Sequence, residues 1–449
     1  MSRGSVSKRR ATRSSQPAEH DAQSPKSSSR EMITCIDLFA GAGGLSTGLE
    51  MAGFSVLFAN ELEAVYSESL RYNHPQTEVS VDDIRDLSPK KIRRSLGLAK
   101  GELDLVAGGP PCQGFSINAP IRSTEDRRNH LFRNFLDFVE EFQPRAVLIE
   151  NVPGLVSFAG GSTALAIRAS LGGLKYACTL RILYAPHFGI PQMRWRTVFL
   201  ATREDYSPEA LFPIPSHVAN GRANFTQRLG DEHLVYEREY VEHNASRKGV
   251  TVGDAISDLP AVDNGGGVDE CAYSRTPRSE YQRLLRGAND KLLNHRCAKV
   301  SAINLERLKH IPQGGSWRDI PYDLLPLGMK RARRSDHTKR YGRLAPKEIA
   351  STILTKCDPH WGAYFHPTAD RVITVREAAR LQSFPDRCRF FGSVTDQYKQ
   401  VGNAVPPLLG CAIGNQIAEV LNTSAKGEAI PRGFVGRGSQ FALPLNLQG

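Results

Sequence analysis

The chain has 449 residues, 40% of them hydrophobic, enough for two or three domains with a full core, so it needs no disulfide or metal to hold it together. Its formal charge of +11 is concentrated: residues 1–30 carry seven Lys/Arg against Glu19 and Asp21, and residues 328–347 carry eight against Asp336, the footprint expected for a polyanionic partner. Eight scattered cysteines without a CxxC pair exclude a disulfide framework, and with no apolar leader and no run approaching membrane length the chain reads as soluble and cytoplasmic.

Residues 1–30 have too few apolar side chains to offset the entropy of ordering and read as a disordered basic tail. From Ile33 short β-type runs alternate with segments of helical period. These are Ile33 to Phe39 and Leu45 to Ala52, Val56 to Ala59 and Ala64 to Tyr72, Leu103 to Ala107 and Leu131 to Phe142, Ala146 to Ile149 and Ala164 to Leu171, then Thr179 to Leu183 and Thr197 to Ala201. Such alternation predicts an open α/β domain with a mostly parallel sheet and crossover helices. After about Glu204 the rhythm breaks into polar sequence punctuated by Pro213-Ile214-Pro215, Asn264-Gly265-Gly266-Gly267 and Gln313-Gly314-Gly315, which predicts a second, smaller and irregular domain. Helical period returns over Thr374 to Gln382 and Pro406 to Leu421.

The residues able to do chemistry fall at the ends of the β-type runs. Gly41-Ala42-Gly43-Gly44 follows the first, where glycines let a ligand approach the backbone, but Ser46 stands where a dinucleotide fingerprint needs glycine. Glu61 follows the second run, at the place where an acid accepts ribose hydroxyls, and Asp83 follows Val79-Ser80-Val81 in the same manner. Cys112 stands in Gly108-Gly109-Pro110-Pro111-Cys112, a rigid turn that presents a thiol and that a merely packed cysteine does not need. Glu150, in Ile149-Glu150-Asn151-Val152, enters an apolar setting suited to general acid work, or else pairs with Arg194 or Arg196 as a fold-holding ion pair. Arg194 and Arg196 are two apart and share one side of an extended segment. Cys357-Asp358-Pro359-His360 has the outline of half a zinc site with no second half at ligand spacing, so no metal is expected. A cysteine hydrolase is disfavoured because His74, His130 and His187 supply no motif for a base.

Six segments in order, Asp37 to Gly44, Pro110 to Ser116, Glu150 to Val152, Gln192 to Arg196, Arg376 to Gln382 and Gly402 to Pro407, resemble the cytosine-C5 DNA methyltransferase family. The resemblance covers Ile33 to about Ala201 and Arg371 to about Ile417. It implies a Rossmann-like S-adenosylmethionine-dependent methyltransferase domain over 31–204, a target-recognition domain over 205–365, a hinge at 366–392, a return to the first domain at 393–422 and a tail at 423–449. It implies that Cys112 adds to C6 of a flipped-out cytosine, with Glu150, Arg196 and Arg194 at the base. It implies an S-adenosylmethionine site of Phe39, Gly41, Ala42, Gly43, Gly44, Glu61, Leu62, Asp83, Ile84, Pro111, Leu131, Asn403 and Ala404, with Leu62 where some members carry an aromatic residue. Expected DNA contacts are Gln113, Ser116, Arg122, Arg127 and Arg128 on a loop after the nucleophile, and Lys330, Arg331, Arg333, Arg334, Lys339, Arg340 and Arg343. The implied partner is double-stranded DNA, met by a monomer with no membrane, as the modification enzyme of a restriction-modification system with a companion endonuclease. Two alternatives remain: the same chemistry on tRNA, and a catalytically silent DNA-binding regulator on the same fold.

Overall fold

The computed structural model of the protein describes residues 32–111, 131–203 and 207–425, together with Met1. Seven strands form one sheet: β1 (Ile33–Leu38), β2 (Phe54–Asn60), β3 (Glu78–Ser80), β4 (Leu105–Gly108), β5 (Ala146–Asn151), β6 (Ala177–Tyr184) and β7 (Trp195–Thr202). Their order is β3-β2-β1-β4-β5-β7-β6, and only β7 runs against its neighbours. The first β-type runs thus become a mostly parallel α/β sheet, with chain reversals on either side of β1 and β4. Within it Leu38 pairs with Asn60 and Gly108, and Gly108 with Ile149, so the carboxyl ends of four strands line one edge.

Alternation along the strands divides the core in two. Ile36, Leu38, Val106, Val147, Ile149 and Phe199 point to one face. There α4 (Leu131–Phe142) lays Phe135, Phe138, Val139 and Phe142, one stripe at i, i+3, i+4 and i+7, beside Ile167 and Leu171 of a later helix, Ser162–Gly173. Cys35, Leu105, Ala107, Leu148, Val198 and Leu200 point to the other. A register shift in the β1–β2 pairing lets Phe58 join the first set although Phe54 and Val56 belong to the second.

The second face is covered from far along the chain. Helix α1 (Gly44–Met51) packs there against the C-terminal helix Pro407–Ala425, so closely that a Cβ on Gly48 would lie 2.4 Å from the Pro407 carbonyl and 2.8 Å from Gly410 Cα. The same continuous core takes in Leu211, Phe212, Val252, Ile256, Leu285, Leu308, Trp317, Ile353 and Tyr364, so the middle of the chain packs on the sheet's own core. The stretch Val394–Thr423 does reach membrane length and apolarity, contrary to the expectation, but 83% of its apolar 18-residue window is buried: its apolarity serves α1 and the sheet. Helix Val375–Leu381 lies in a segment laced by buried ion pairs. Arg371 meets Glu377 at 2.7 Å, and Arg380 joins Asp386 at 2.6 Å and Asp258. Thr374 and Glu377 form a capping box at its start.

Candidate active site

The first turn of the chain begins with strain. Phe39 holds φ 62 directly after β1, a left-handed conformation that costs about 1 to 3 kcal/mol for a bulky residue and persists where surroundings enforce it. Gly41 follows at φ 60, and a Cβ there would meet nothing within 4 Å among the described residues. Its N–H donates to Glu61 Oε2 at 2.8 Å, while Glu61 Oε1 accepts the Glu63 N–H at 2.8 Å. Glu61 is nearly buried, and burial raises its pKa above the usual carboxylate value. Space in front of Gly41 and a positioned carboxylate beside it fit an adenosyl group. A Cβ on Gly43 would lie 2.4 Å from His74 Nε2, and one on Gly44 2.4 Å from the Val405 carbonyl, so their missing side chains let neighbouring protein pack close to the turn.

Beneath this turn lies a buried polar chain that sequence reasoning did not single out. Ser46 Oγ donates to Asp37 Oδ2 at 2.6 Å, Thr47 Oγ1 lies 3.3 Å from His74 Nε2, and His74 Nδ1 meets Glu50 at 2.7 Å. Burial pushes the Asp37 carboxyl up to about 7, and its Oδ1 has no partner among the described residues.

Along the same edge, Ile84 and Ala42 are buried while Leu62 is 58% exposed. Asp83 is tied to Arg85, which holds its carboxyl down to about 2. Asn403 is exposed at the end of helix Val394–Asn403, within reach of the Tyr66 phenol. Ala404 is buried, with its carbonyl committed to protein donors. Leu131 and Pro111 are half-buried on either side of the undescribed stretch 112–130.

The turn before Cys112 is held by β5. Asn151 Nδ2 donates to the Pro110 carbonyl at 3.0 Å, and Asn151 Oδ1 accepts the Val152 N–H at 2.9 Å. Gly109 leaves room for Glu150, whose Oε2 stands 3.2 Å from where a Cβ would be. Glu150 is paired: Arg196 Nε lies 2.5 Å from its Oε1, with both side chains largely buried. Burial lowers the Arg196 pKa and Glu150 opposes that shift. Cys112, Gln113, Ser116, Arg122, Arg127 and Arg128 lie outside the described residues.

Arg194 departs from the expected catalytic role. Its Nη1 donates to the Ile353 carbonyl at 3.1 Å and its Nη2 to those of Gly402 and Ala404 at 2.9 and 3.0 Å, in full burial. Gln192 bridges Ile353 N–H, Leu381 and Gln382, and Gln382 donates to Ala404 at 2.6 Å. Three motifs distant in sequence therefore converge in one buried network, and Arg194 is a positioning residue. Arg343 also departs: it is bound to the His366 and Pro367 carbonyls and to Asp370, leaving it 15% exposed. Arg331, Arg333, Arg334 and Lys339 are exposed, and Lys330 lies over the Tyr322 ring. Cys357 is buried and His360 packs on Tyr341 and Trp361; no group of metal-binding side chains occurs among the described residues.

An open, mostly parallel sheet with glycine-bearing turns and acids at its carboxyl edge places the chain in the open α/β class, whose ligands bind along that edge. Residues 33–419 match the model of the C-5 cytosine-specific DNA methylases, and the chain belongs to that family: it is a DNA cytosine-5 methyltransferase. It is 35% identical to the Type II methyltransferase M.AgeI of Thalassovita gelatinovora over 85% of this chain and 98% of that one. Against the Type II methyltransferase M1.HphI of Haemophilus parahaemolyticus the identity is also 35%, over 87% and 88%. A solved E. coli structure described as a prophage-encoded DNA modification methyltransferase matches with 25% identity and a TM-score of 0.64, covering 87% of this chain and 99% of that one.

Proposed function

We propose that the enzyme methylates C5 of a cytosine flipped out of a specific duplex DNA sequence, through a covalent adduct of Cys112, as the modification member of a type II restriction-modification system in the cytoplasm. The observation that carries this reading is the Glu150–Arg196 pair set beside the Pro110 turn that leads into Cys112. Cytosine C5 is a poor nucleophile. Addition of the Cys112 thiolate to C6, with a proton from the Glu150 carboxyl to N3, moves the ring's electron pair to C5 as an enamine. Arg196 supports the ring carbonyl and steadies Glu150. Phe39, Gly41, Glu61 and Asn403 would hold S-adenosylmethionine, whose sulfonium would supply an electrophilic methyl group for C5 and leave as the thioether. Loss of the C5 proton to a base, return of the N3 proton to Glu150 and expulsion of the Cys112 thiolate then restore the aromatic ring. The names of M.AgeI and M1.HphI support the restriction-modification setting.

Bisulfite sequencing of a plasmid carried in cells that express the chain is expected to show complete conversion to 5-methylcytosine at one short motif. Purified enzyme is expected to remain bound through Cys112 to DNA containing 5-fluorocytosine, because C5 cannot lose fluorine as a cation. A Cys112→Ser variant that still trapped, or methyl incorporation into tRNA alone, would sink the reading.

A further inference from the structure

Outside the catalytic edge, Trp361 is 49% exposed, and the Arg340 guanidinium carbon lies 5.2 Å from its ring centroid. Both residues are mounted on a fixed frame. Strands Gly342–Arg343 and Ala363–Phe365 pair, which brings the residues before them together. The Arg340 N–H donates to the His337 carbonyl at 3.0 Å, and its own carbonyl accepts the Trp317 N–H at 3.0 Å. The Trp317 indole also donates to His337, at 3.2 Å. His337 and Tyr341 sit at φ 49 and 53, left-handed conformations that these bonds hold in place. On the other side the Trp361 N–H donates to the Asp358 carbonyl at 2.9 Å, and His360 packs edge-on against both Tyr341 and Trp361.

Arg340 is thus a guanidinium oriented before any ligand arrives, inside a stretch where eight Lys/Arg face Asp336 alone. Arg331 and Arg333 differ: they are exposed, and their side chains make no hydrogen bond among the described residues. A phosphate contact needs only charge, which a loose side chain supplies. Reading guanine needs two N–H groups in fixed geometry, facing the adjacent O6 and N7 acceptors in the major groove. An aromatic face under a guanidinium fixes that plane at little further entropic cost.

We propose that Arg340, stacked on Trp361, reads a guanine of the target sequence in the major groove, while Arg331 and Arg333 contact phosphates. This rests on the duplex-DNA reading above. The test maps the methylated motif of the wild-type enzyme on a random-sequence duplex library, then repeats it with Arg340→Ala, Arg340→Lys, Trp361→Leu and Arg333→Ala. Both Arg340 variants are expected to lose about 10- to 100-fold in kcat/KM on the mapped site. They also accept other bases at one guanine position, whereas Arg333→Ala lowers methylation of all sequences alike. Trp361→Leu is expected to relax the same position as Arg340→Ala. An Arg340→Lys enzyme that keeps the full motif, or an Arg340→Ala enzyme that loses activity evenly with the motif unchanged, overturns the proposal. A wild-type enzyme that methylates no duplex overturns the functional reading itself and this assignment with it, so the two failures are told apart.

Discussion

Asp37 shows how one residue can be read correctly as part of a motif and missed as chemistry. It opens the segment Asp37 to Gly44, yet its setting, wholly buried with one oxygen unpartnered, comes from the packing of α1 and His74 over β1. Its carboxyl is raised from 3.8 to about 7 in the folded protein, so the folded state binds the proton more tightly than the unfolded chain. The stability this gives is fully present below pH 4 and is lost as pH rises through 7, on the order of 4 kcal/mol at most. Asp37→Asn keeps an acceptor for Ser46 and is expected to flatten the fall in thermal midpoint between pH 5 and 8; an unchanged fall would assign it to other groups. The glycines next to it separate by the same reasoning. Gly41→Ala meets open space among the described residues and a cost of about 1 to 2 kcal/mol for its φ, so it is expected to fold and to raise KM for the methyl donor. Gly44→Ala collides with the Val405 carbonyl and is expected to lose several degrees of melting temperature. Local sequence marks all these glycines alike, since the neighbours that distinguish them arrive from residue 74 and from residues 404 and 405.

The elements of the seven-stranded sheet and its crossover helices were largely legible because their patterns are local. The run Leu131 to Phe142 is a helix over those same residues, and Thr374 to Gln382 encloses the helix Val375–Leu381 with its capping box. Not legible were Pro89–Ser95, whose charged face hides a single buried Ile92, Val394–Asn403, of which only the closing residues entered a quoted motif, and the short helices of the middle, Arg238–Asn244, Val252–Ile256, Glu280–Arg286 and Ala302–Leu308. What no local pattern contains is the pairing between elements. Gln192, Arg194 and Gln382 join β7's entry, the segment at Ile353 and the junction of the last two helices through long-range bonds. Arg194→Met would leave the carbonyls of Ile353 and Gly402 without their Arg194 donor, Ala404 keeping the one from Gln382, at a cost of about 3 kcal/mol. Hydrogen exchange is expected to accelerate first at residues 402–405, and KM for the methyl donor to rise more than kcat falls, because Asn403 is displaced while Glu150 and Arg196 stay paired. Equal loss at both substrates would show that the clamp serves general stability alone.

For the molecule as a whole, charge and core follow different maps. The core is continuous from the sheet through residues 252–420, which the polar, glycine-punctuated middle did not announce: its apolar residues are spread singly and become a cluster only against Leu105, Leu148 and Leu200. Charge, by contrast, was legible at once, because a net sum needs no fold, and the structure leaves Arg331, Arg333 and Arg334 exposed while withdrawing Arg343. Each phosphate contact releases condensed counterions, so the logarithm of the affinity falls with the logarithm of salt by about 0.9 per contact. The combined variant Arg331→Gln, Arg333→Gln, Arg334→Gln is expected to reduce that slope by roughly 2 to 3 while the methylated motif and the melting temperature stay as in the wild type. Titration of a fluorescent duplex across a salt series measures the slope directly. An unchanged slope would move the phosphate-facing surface elsewhere, and a changed motif would mean that these side chains read bases as well.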